Sequence, residues 1–176
     1  MSNQKPNLGY IGLGMMGGPM ALRLANAGFP LSIWGRSPAK LEAAKAAGAR
    51  AVETAAQVAR DADIVFTCLS DTEAVEAVVF GENGLATGAG PGKLLVDMSS
   101  IRPEAARDMA ARLRDKTGMG WIDAPVSGGV AGAESGKLTV MAGGSEADFA
   151  HAEPIVAHLA QRFSLMGTNG AGQATK

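Results

Sequence analysis

The chain has 176 residues, 47% hydrophobic and 19% charged, with a net charge of -1. That length suits one globular domain with a real core, and the near-neutral balance excludes a general nucleic-acid or membrane-surface binder, which would carry a basic excess. One cysteine, Cys68, excludes an intrachain disulfide framework; no apolar stretch approaches the ~20 residues of a membrane helix, and the polar stretch Met1 to Asn7 has no signal-peptide core, so a cytoplasmic protein is expected.

Short apolar runs alternate with helical patterns along the chain. Leu8 to Ile11 reads as a strand, and Pro19 to Ala27 as a helix with Met20, Leu24 and Ala27 on one face, stopped by Gly28. Leu31 to Trp34 is a second strand, and Pro38 to Ala47 a second helix closed by Gly48. Thr54 is the expected cap of a short helix running to Arg60. Ile64 to Leu69 is all apolar or small and reads as a strand covered on both faces, with Cys68 a small buried hydrophobe. Thr72 to Phe80 is helical, Gly88 to Gly92 a turn, and Leu94 to Met98 another buried strand. Pro103 to Lys116 is a helix with proline in its first turn. Trp121 to Ala124 and Leu138 to Ala142 are strands, Glu146 to Ala160 a helix, and Arg162 to Met166 a last short strand. This alternation predicts a parallel sheet wrapped by helices. Right-handed crossovers make it a Rossmann-type, doubly wound α/β domain with a mostly parallel sheet.

Gly12-Leu13-Gly14-Met15-Met16-Gly17 follows the first strand and opens the first helix. This is the GxGxxG pattern in the context it requires. The first glycine permits the turn, the second lets backbone approach a pyrophosphate, and the third lets helix pack on strand. The helix N-terminus then offers N–H groups to phosphates. An NAD site usually places Asp or Glu at the end of the second strand, about 20 residues on. Here that end reads Trp34-Gly35-Arg36-Ser37-Pro38 and holds no carboxylate. Arg36 and Ser37 suit a 2′-phosphate instead, so NADP is expected over NAD.

Further segments resemble the β-hydroxyacid dehydrogenase family, which includes 3-hydroxyisobutyrate dehydrogenases and tartronate semialdehyde reductases. The extended loop Gly12 to Ala21 is similar to its cofactor signature, and Asp123-Ala124-Pro125-Val126-Ser127-Gly128-Gly129 to its substrate-binding signature. Gly167 to Lys176 resembles its catalytic signature, whose lysine would be Lys176, and Asp97-Met98-Ser99-Ser100 the segment where a hydroxyl residue, here Ser100, contacts cofactor or substrate. The resemblance also assigns Leu69 and Ser70 to the nicotinamide side, although relatives usually have Leu-Pro there. Ala74 stands where some relatives carry a cofactor-contacting asparagine, and the asparagine four residues after the family's lysine lies beyond this chain. The implied organisation is a cofactor domain over residues 1–163 and an interdomain segment over 164–176, with a helical second domain absent. The resemblance implies a homodimer or homotetramer for the complete protein.

The implied reaction is hydride transfer between NADP(H) and the carbonyl of a small semialdehyde or keto acid. Tartronate, succinic or methylmalonate semialdehyde and glyoxylate all remain open as substrates. The alkoxide formed as hydride arrives needs a proton and a nearby positive charge, and Lys176 supplies both. Ser127, Gly128 and Gly129 form a turn whose N–H groups and hydroxyl can hold a carboxylate, while Asp123 and Pro125 shape that turn. The 176-residue chain alone is expected to bind cofactor and turn over poorly. A cofactor-binding module without catalysis and an imine reductase are the alternatives, the second disfavoured by the lysine. His151 and His158 lie seven apart on one predicted helix face and read as surface residues, with no ligand cluster to suggest a metal. Asp61 and Asp63 read as solvated, and Trp34 and Trp121 as core or groove packing.

Overall fold

A computed structural model describes residues 4–176, so the first three residues of the polar N-terminal stretch lie outside the described residues. In chain order the first half comprises β1 (Leu8–Ile11), α1 (Gly17–Asn26), β2 (Leu31–Trp34), a 3-10 turn (Pro38–Leu41), α2 (Glu42–Ala46), β3 (Arg50–Ala51), α3 (Ala55–Asp61), β4 (Ile64–Thr67), α4 (Thr72–Phe80) and α5 (Leu85–Gly88). The second half comprises β5 (Leu94–Asp97), α6 (Pro103–Thr117), β6 (Gly120–Asp123), β7 (Val126–Ser127), α7 (Gly129–Ser135), β8 (Leu138–Gly143), α8 (Glu146–Val156), β9 (Ala160–Gly167) and α9 (Ala171–Thr175).

The strands form one sheet in the order β3-β2-β1-β4-β5-β6-β8-β7, with β9 paired to β8. Pairing is parallel from β3 through to β6. It turns antiparallel where β8 meets β6 and β7, and parallel again between β8 and β9. This is the expected doubly wound, mostly parallel α/β sheet. The inner strands are apolar because helices cover both faces. Leu8, Tyr10, Ile64, Phe66, Leu94 and Val96 pack with Met20 and Leu24 of α1 and Ile155 and Val156 of α8. Ile11, Val65, Leu95 and Trp121 face the other layer, against Val58, Val75, Val79, Met109 and Leu113. Each of the Val, Leu, Ile, Phe and Met side chains among them, buried fully, contributes roughly 1.5–3 kcal/mol.

Several boundaries differ from the sequence pattern for local reasons. Helix α1 starts at Gly17, ahead of Pro19, because proline sits comfortably in a first turn where its missing N–H has no partner to lose. The expected helix over 38–47 divides into the 3-10 turn and α2. Helix α8 ends at Val156, four residues early, with Pro154 in its last turn. The chain then feeds β9, whose pairing begins at Ala160 opposite Leu138. His158 therefore lies beyond the helix that carries His151, and the two share no helix face; both are exposed. The short elements β3, α5, β7, α7 and α9 had no readable period, since two to seven residues are too few to show one. Thr54 caps α3 by accepting from the Gln57 N–H at 3.1 Å. Asp61 is half-buried and accepts from Arg50 at 2.6 Å, while Asp63 is exposed, as expected, and accepts the Asn7 N–H.

Candidate functional site

In a parallel sheet the loops at the carboxyl ends of the strands gather along one edge, where doubly wound folds place their ligands. The ends of β1, β2 and β4 here border a cleft of about 330 Å³, lined by Gly12, Leu13, Gly14, Arg36, Ser37, Leu69 and Ser70 among others. The three glycines of the loop have distinct environments. Gly12 has φ +95°, and a Cβ there would meet the Cys68 carbonyl. A Cβ on Gly17 would strike the Gly12 carbonyl, so helix and strand pack through that point. A Cβ on Gly14 would meet nothing within 4 Å. Gly14 thus leaves the open side of the loop bare, as backbone approach by a pyrophosphate requires. Met16 caps α1 with no side-chain hydrogen bond, and the first turn holds no acid, so an external anion meets no competitor there. Met15 is 80% exposed, Met16 half-buried and Leu13 buried. These residues fit a dinucleotide.

The end of β2 adds positive charge. Arg36 is exposed and makes no ion pair among the described residues. Lys40, from the 3-10 turn, lines the same cleft and is likewise unpaired among them. Sequence reasoning missed Lys40; its signal was the spacing of one turn from Arg36. Cys68 was expected to be buried in the core, but it is half-buried and lines the cleft, because β4 ends at Thr67 and the thiol sits in the following turn. Burial, helped by nearby Asp97, pushes that thiol up to about 12, while Lys176 acts in the opposite direction.

At β5 and β6 the strand ends carry buried acids. Asp97 and Asp123 stand opposite each other in register and are fully buried. Asp97 Oδ1 accepts from Thr67 Oγ1 at 2.8 Å and from the Ser99 N–H at 3.1 Å, while Oδ2 has no partner. Burial pushes its carboxyl up to about 6 against those two hydrogen bonds. Asp123 accepts the Gly170 N–H at 2.8 Å and the Gln173 N–H at 3.1 Å. Burial raises its carboxyl as well, against the backbone donors that favour the charged form.

These bonds assemble the segment around Lys176. Ser99 Oγ accepts the Leu69 N–H at 2.8 Å, fastening the Leu69–Ser70 turn to the end of β5. Gln173 Nε2 donates to the Ser99 carbonyl at 2.7 Å, and its Oε1 accepts the Ile101 N–H at 3.1 Å. Lys176 Nζ donates to Ser100 Oγ at 2.7 Å. The structure therefore brings together Lys176, Ser100, Leu69 and Ser70. Ser127, Gly128 and Gly129 are exposed at the end of β7 and make no hydrogen bond to Lys176 or Ser100 among the described residues. Gly128 and Gly129 have φ of +134° and +64°, the backbone a tight turn into α7 needs. The turn begins four residues past the end of β6, a strand end tied to β5 by the Ala124 N–H on the Asp97 carbonyl at 2.7 Å. The described residues include no group of three or more His, Cys, Asp or Glu placed to hold a metal.

Residues 7–167 match the family described as the NAD binding domain of 6-phosphogluconate dehydrogenase. The chain belongs to that family. Within this NAD-binding family it is 45% identical over 169 residues to the 2-hydroxy-3-oxopropionate reductase of Escherichia coli (strain K12), covering 96% of this chain and 57% of that protein. Its fold superimposes on Mycobacterium tuberculosis 3-hydroxyisobutyrate dehydrogenase with L-serine at a TM-score of 0.91 and 33% identity, over 98% of this chain and 58% of that one. A structure of Psf3 in complex with NADP+ and 2-OPP superimposes at 0.90 with 29% identity, over 96% and 59%. The chain spans little more than half the length of the relatives it matches. The resemblance read from the signatures is thus borne out: this is a nicotinamide-dinucleotide-binding domain whose relatives include proteins named 2-hydroxy-3-oxopropionate reductase and 3-hydroxyisobutyrate dehydrogenase.

Proposed function

We propose that this chain holds NADP(H) and carries the catalytic lysine of an enzyme that interconverts a small semialdehyde or keto acid and its hydroxy acid. The observation that carries the reading is the Lys176–Ser100 contact at 2.7 Å, fastened to the strand ends that also present the glycine loop. The bound cofactor supplies the hydride. Lys176 donates a proton to the substrate oxygen and stabilises its developing charge, and takes the proton back in the oxidative direction. Ser100 holds the ammonium group in place and offers its hydroxyl to cofactor or substrate. The turn at Ser127, Gly128 and Gly129 holds the substrate carboxylate through its N–H groups and the serine hydroxyl. Gly12 to Gly17 take the pyrophosphate, and Leu69 and Ser70 border the nicotinamide.

NADP is favoured over NAD by Arg36, Ser37 and Lys40 beside a strand end without a carboxylate. The E. coli relative's name, and the L-serine bound to the mycobacterial one, support a small polar acid, with tartronate semialdehyde (a synonym of 2-hydroxy-3-oxopropionate) first in the series. In the complete cytoplasmic protein, residues 1–163 form the cofactor domain. Residues 164–176 lead to a helical domain that closes the cleft and forms a homodimer or homotetramer, so the 176-residue chain alone turns over poorly.

The test is NADPH consumption, with NADH in parallel, by the full-length protein against tartronate, succinic and methylmalonate semialdehydes and glyoxylate. NADPH-dependent reduction lost in Lys176→Ala supports the reading. Tight NADPH binding with no turnover of any acid overturns it in favour of an imine reductase or a binding module.

A further inference from the structure

The five residues of α9 are too few to hold a side chain in place by helix formation alone. Three tethers fix them instead. Asp123, at the end of β6, accepts the Gly170 and Gln173 N–H groups. Two glycines make room for it: a Cβ on Gly143 would lie 2.7 Å from Asp123 Oδ1, and one on Gly172 2.9 Å from Oδ2. The third tether is the Gln173 side chain. It is 8% exposed and reaches across to the segment after β5, using its amide NH2 on the Ser99 carbonyl and its amide oxygen on the Ile101 N–H.

Those two backbone groups flank Ser100, the hydroxyl that receives the Lys176 ammonium. Lys176 caps α9 three residues after Gln173, its N–H on the Gly172 carbonyl, so the two follow each other by about one turn. Gln173 thus grips the chain on both sides of the lysine's partner while riding one turn ahead of the lysine. Its distance to Ser99 and Ile101 sets the distance from Lys176 to Ser100. A side chain needed only to fill space would make neither bond. Here, removing the amide would leave a buried carbonyl and a buried N–H unpaired on either side of Ser100.

We propose that Gln173 is a positioning residue, aligning the Lys176 amine on Ser100 by bridging the Ser99 carbonyl and the Ile101 N–H. This rests on the proposed role of Lys176. The tests use the full-length protein. Gln173→Leu removes both bonds at similar volume, and a misplaced acid–base group costs about 10²-fold in rate. We expect kcat to fall by about that factor, with NADPH affinity, read by fluorescence, held within twofold. In a Lys176→Ala background the same change should cost little more, because the two act as one unit. Hydrogen exchange in the ligand-free protein should quicken at residues 171–176 and not in the glycine loop.

Gln173→Glu supplies a second variant. A neutral carboxylic acid has one donor and one acceptor, as the amide bridge needs, whereas the carboxylate has no donor for the Ser99 carbonyl. The ratio of its kcat to that of the unaltered protein should therefore recover as pH falls. Full kcat in both variants at every pH, or losses that simply add to that of Lys176→Ala, would overturn the proposal while leaving the lysine's role intact. Full turnover in Lys176→Ala would instead remove the reading on which it rests. If Gln173→Leu does not fold, the pH-dependent recovery of Gln173→Glu decides.

Discussion

Replacing Asp97 by asparagine changes how the domain's stability depends on pH, in a direction set by the surroundings of that carboxyl. Asp97 is fully buried, with one oxygen bonded to Thr67 and Ser99 and the other unpartnered. Burial pushes it up to about 6, and neighbouring Asp123 adds to the rise. An unfolded aspartate titrates near ~3.9. Between those values the folded protein binds more protons than the unfolded chain, so stability falls as pH rises. The contribution is fully present below the unfolded value and lost once pH passes about 6. A gap of about two pH units corresponds to ~3 kcal/mol. Asparagine is the uncharged analogue of the protonated acid: it keeps the acceptor for Thr67 and Ser99 and, like the acid, leaves one donor without a partner. Asp97→Asn should therefore match the unaltered chain in acid and exceed it by up to ~3 kcal/mol at neutral pH. Urea unfolding followed by circular dichroism across that pH range reads both. Equal slopes in the two proteins would show that Asp97 is not the group responsible, and a loss of stability at neutral pH would refute the burial argument outright.

Four further outcomes follow from the site. Lys176→Ala in the full-length protein should lower kcat by about 10²- to 10⁴-fold with NADPH affinity unchanged, as read by steady-state kinetics and fluorescence titration. Arg36→Ala and Lys40→Ala should each weaken NADPH about 10-fold or more, the scale of a lost hydrogen bond to a charged group, and leave NADH nearly untouched; equal losses for both cofactors would assign these cations to some other task. Gly12→Ala should destabilise the domain by more than ~1–2 kcal/mol, because φ is +95° and the added Cβ meets the Cys68 carbonyl, seen as a lowered melting temperature. Cys68, held up to about 12, should alkylate with iodoacetamide much more slowly than a free thiol at mildly alkaline pH. Bound NADPH should slow it further, since the thiol lines the same cleft.

The order of strands and helices was legible because each long element carries its own period or cap. Leu8–Ile11, Leu31–Trp34 and Thr72–Phe80 fall where the pattern puts them. The glycine loop was legible because each glycine answers a different steric demand, and the demand is local to a strand–turn–helix unit. What stayed hidden depends on contacts between distant segments. Cys68 looked like core because its neighbours in sequence are apolar, yet its exposure is set by where β4 stops. Gln173 is ordinary in sequence, and its role appears only when the segment at 99–101, more than 70 residues away, is brought against it. Asp97 and Asp123 were visible as motif members, but nothing in the chain order shows that they stand side by side.

That pairing bears on how a slightly acidic chain presents a site for anions. Both the expected cofactor and the expected substrate carry negative charge, and two carboxylates at the strand ends would repel them if they faced the cleft. They do not. One oxygen of Asp97 bonds inward to Thr67 and Ser99, and both oxygens of Asp123 bond the backbone of the lysine-bearing segment. The acids act as fasteners. They hold the turns after β4 and β5 and the segment after β9, and those turns present Ser70, Ser100 and Lys176 outward. At the other end of the same edge Arg36 and Lys40 stand unpaired among the described residues. The net charge of -1 therefore coexists with exposed cations at this edge, Arg36 and Lys40 at one end and Lys176 at the other, beside the exposed Asp71 that caps α4. The buried acids cost stability at neutral pH, and that cost is the measurable trace of using carboxylates as internal hydrogen-bond acceptors beneath an anion site.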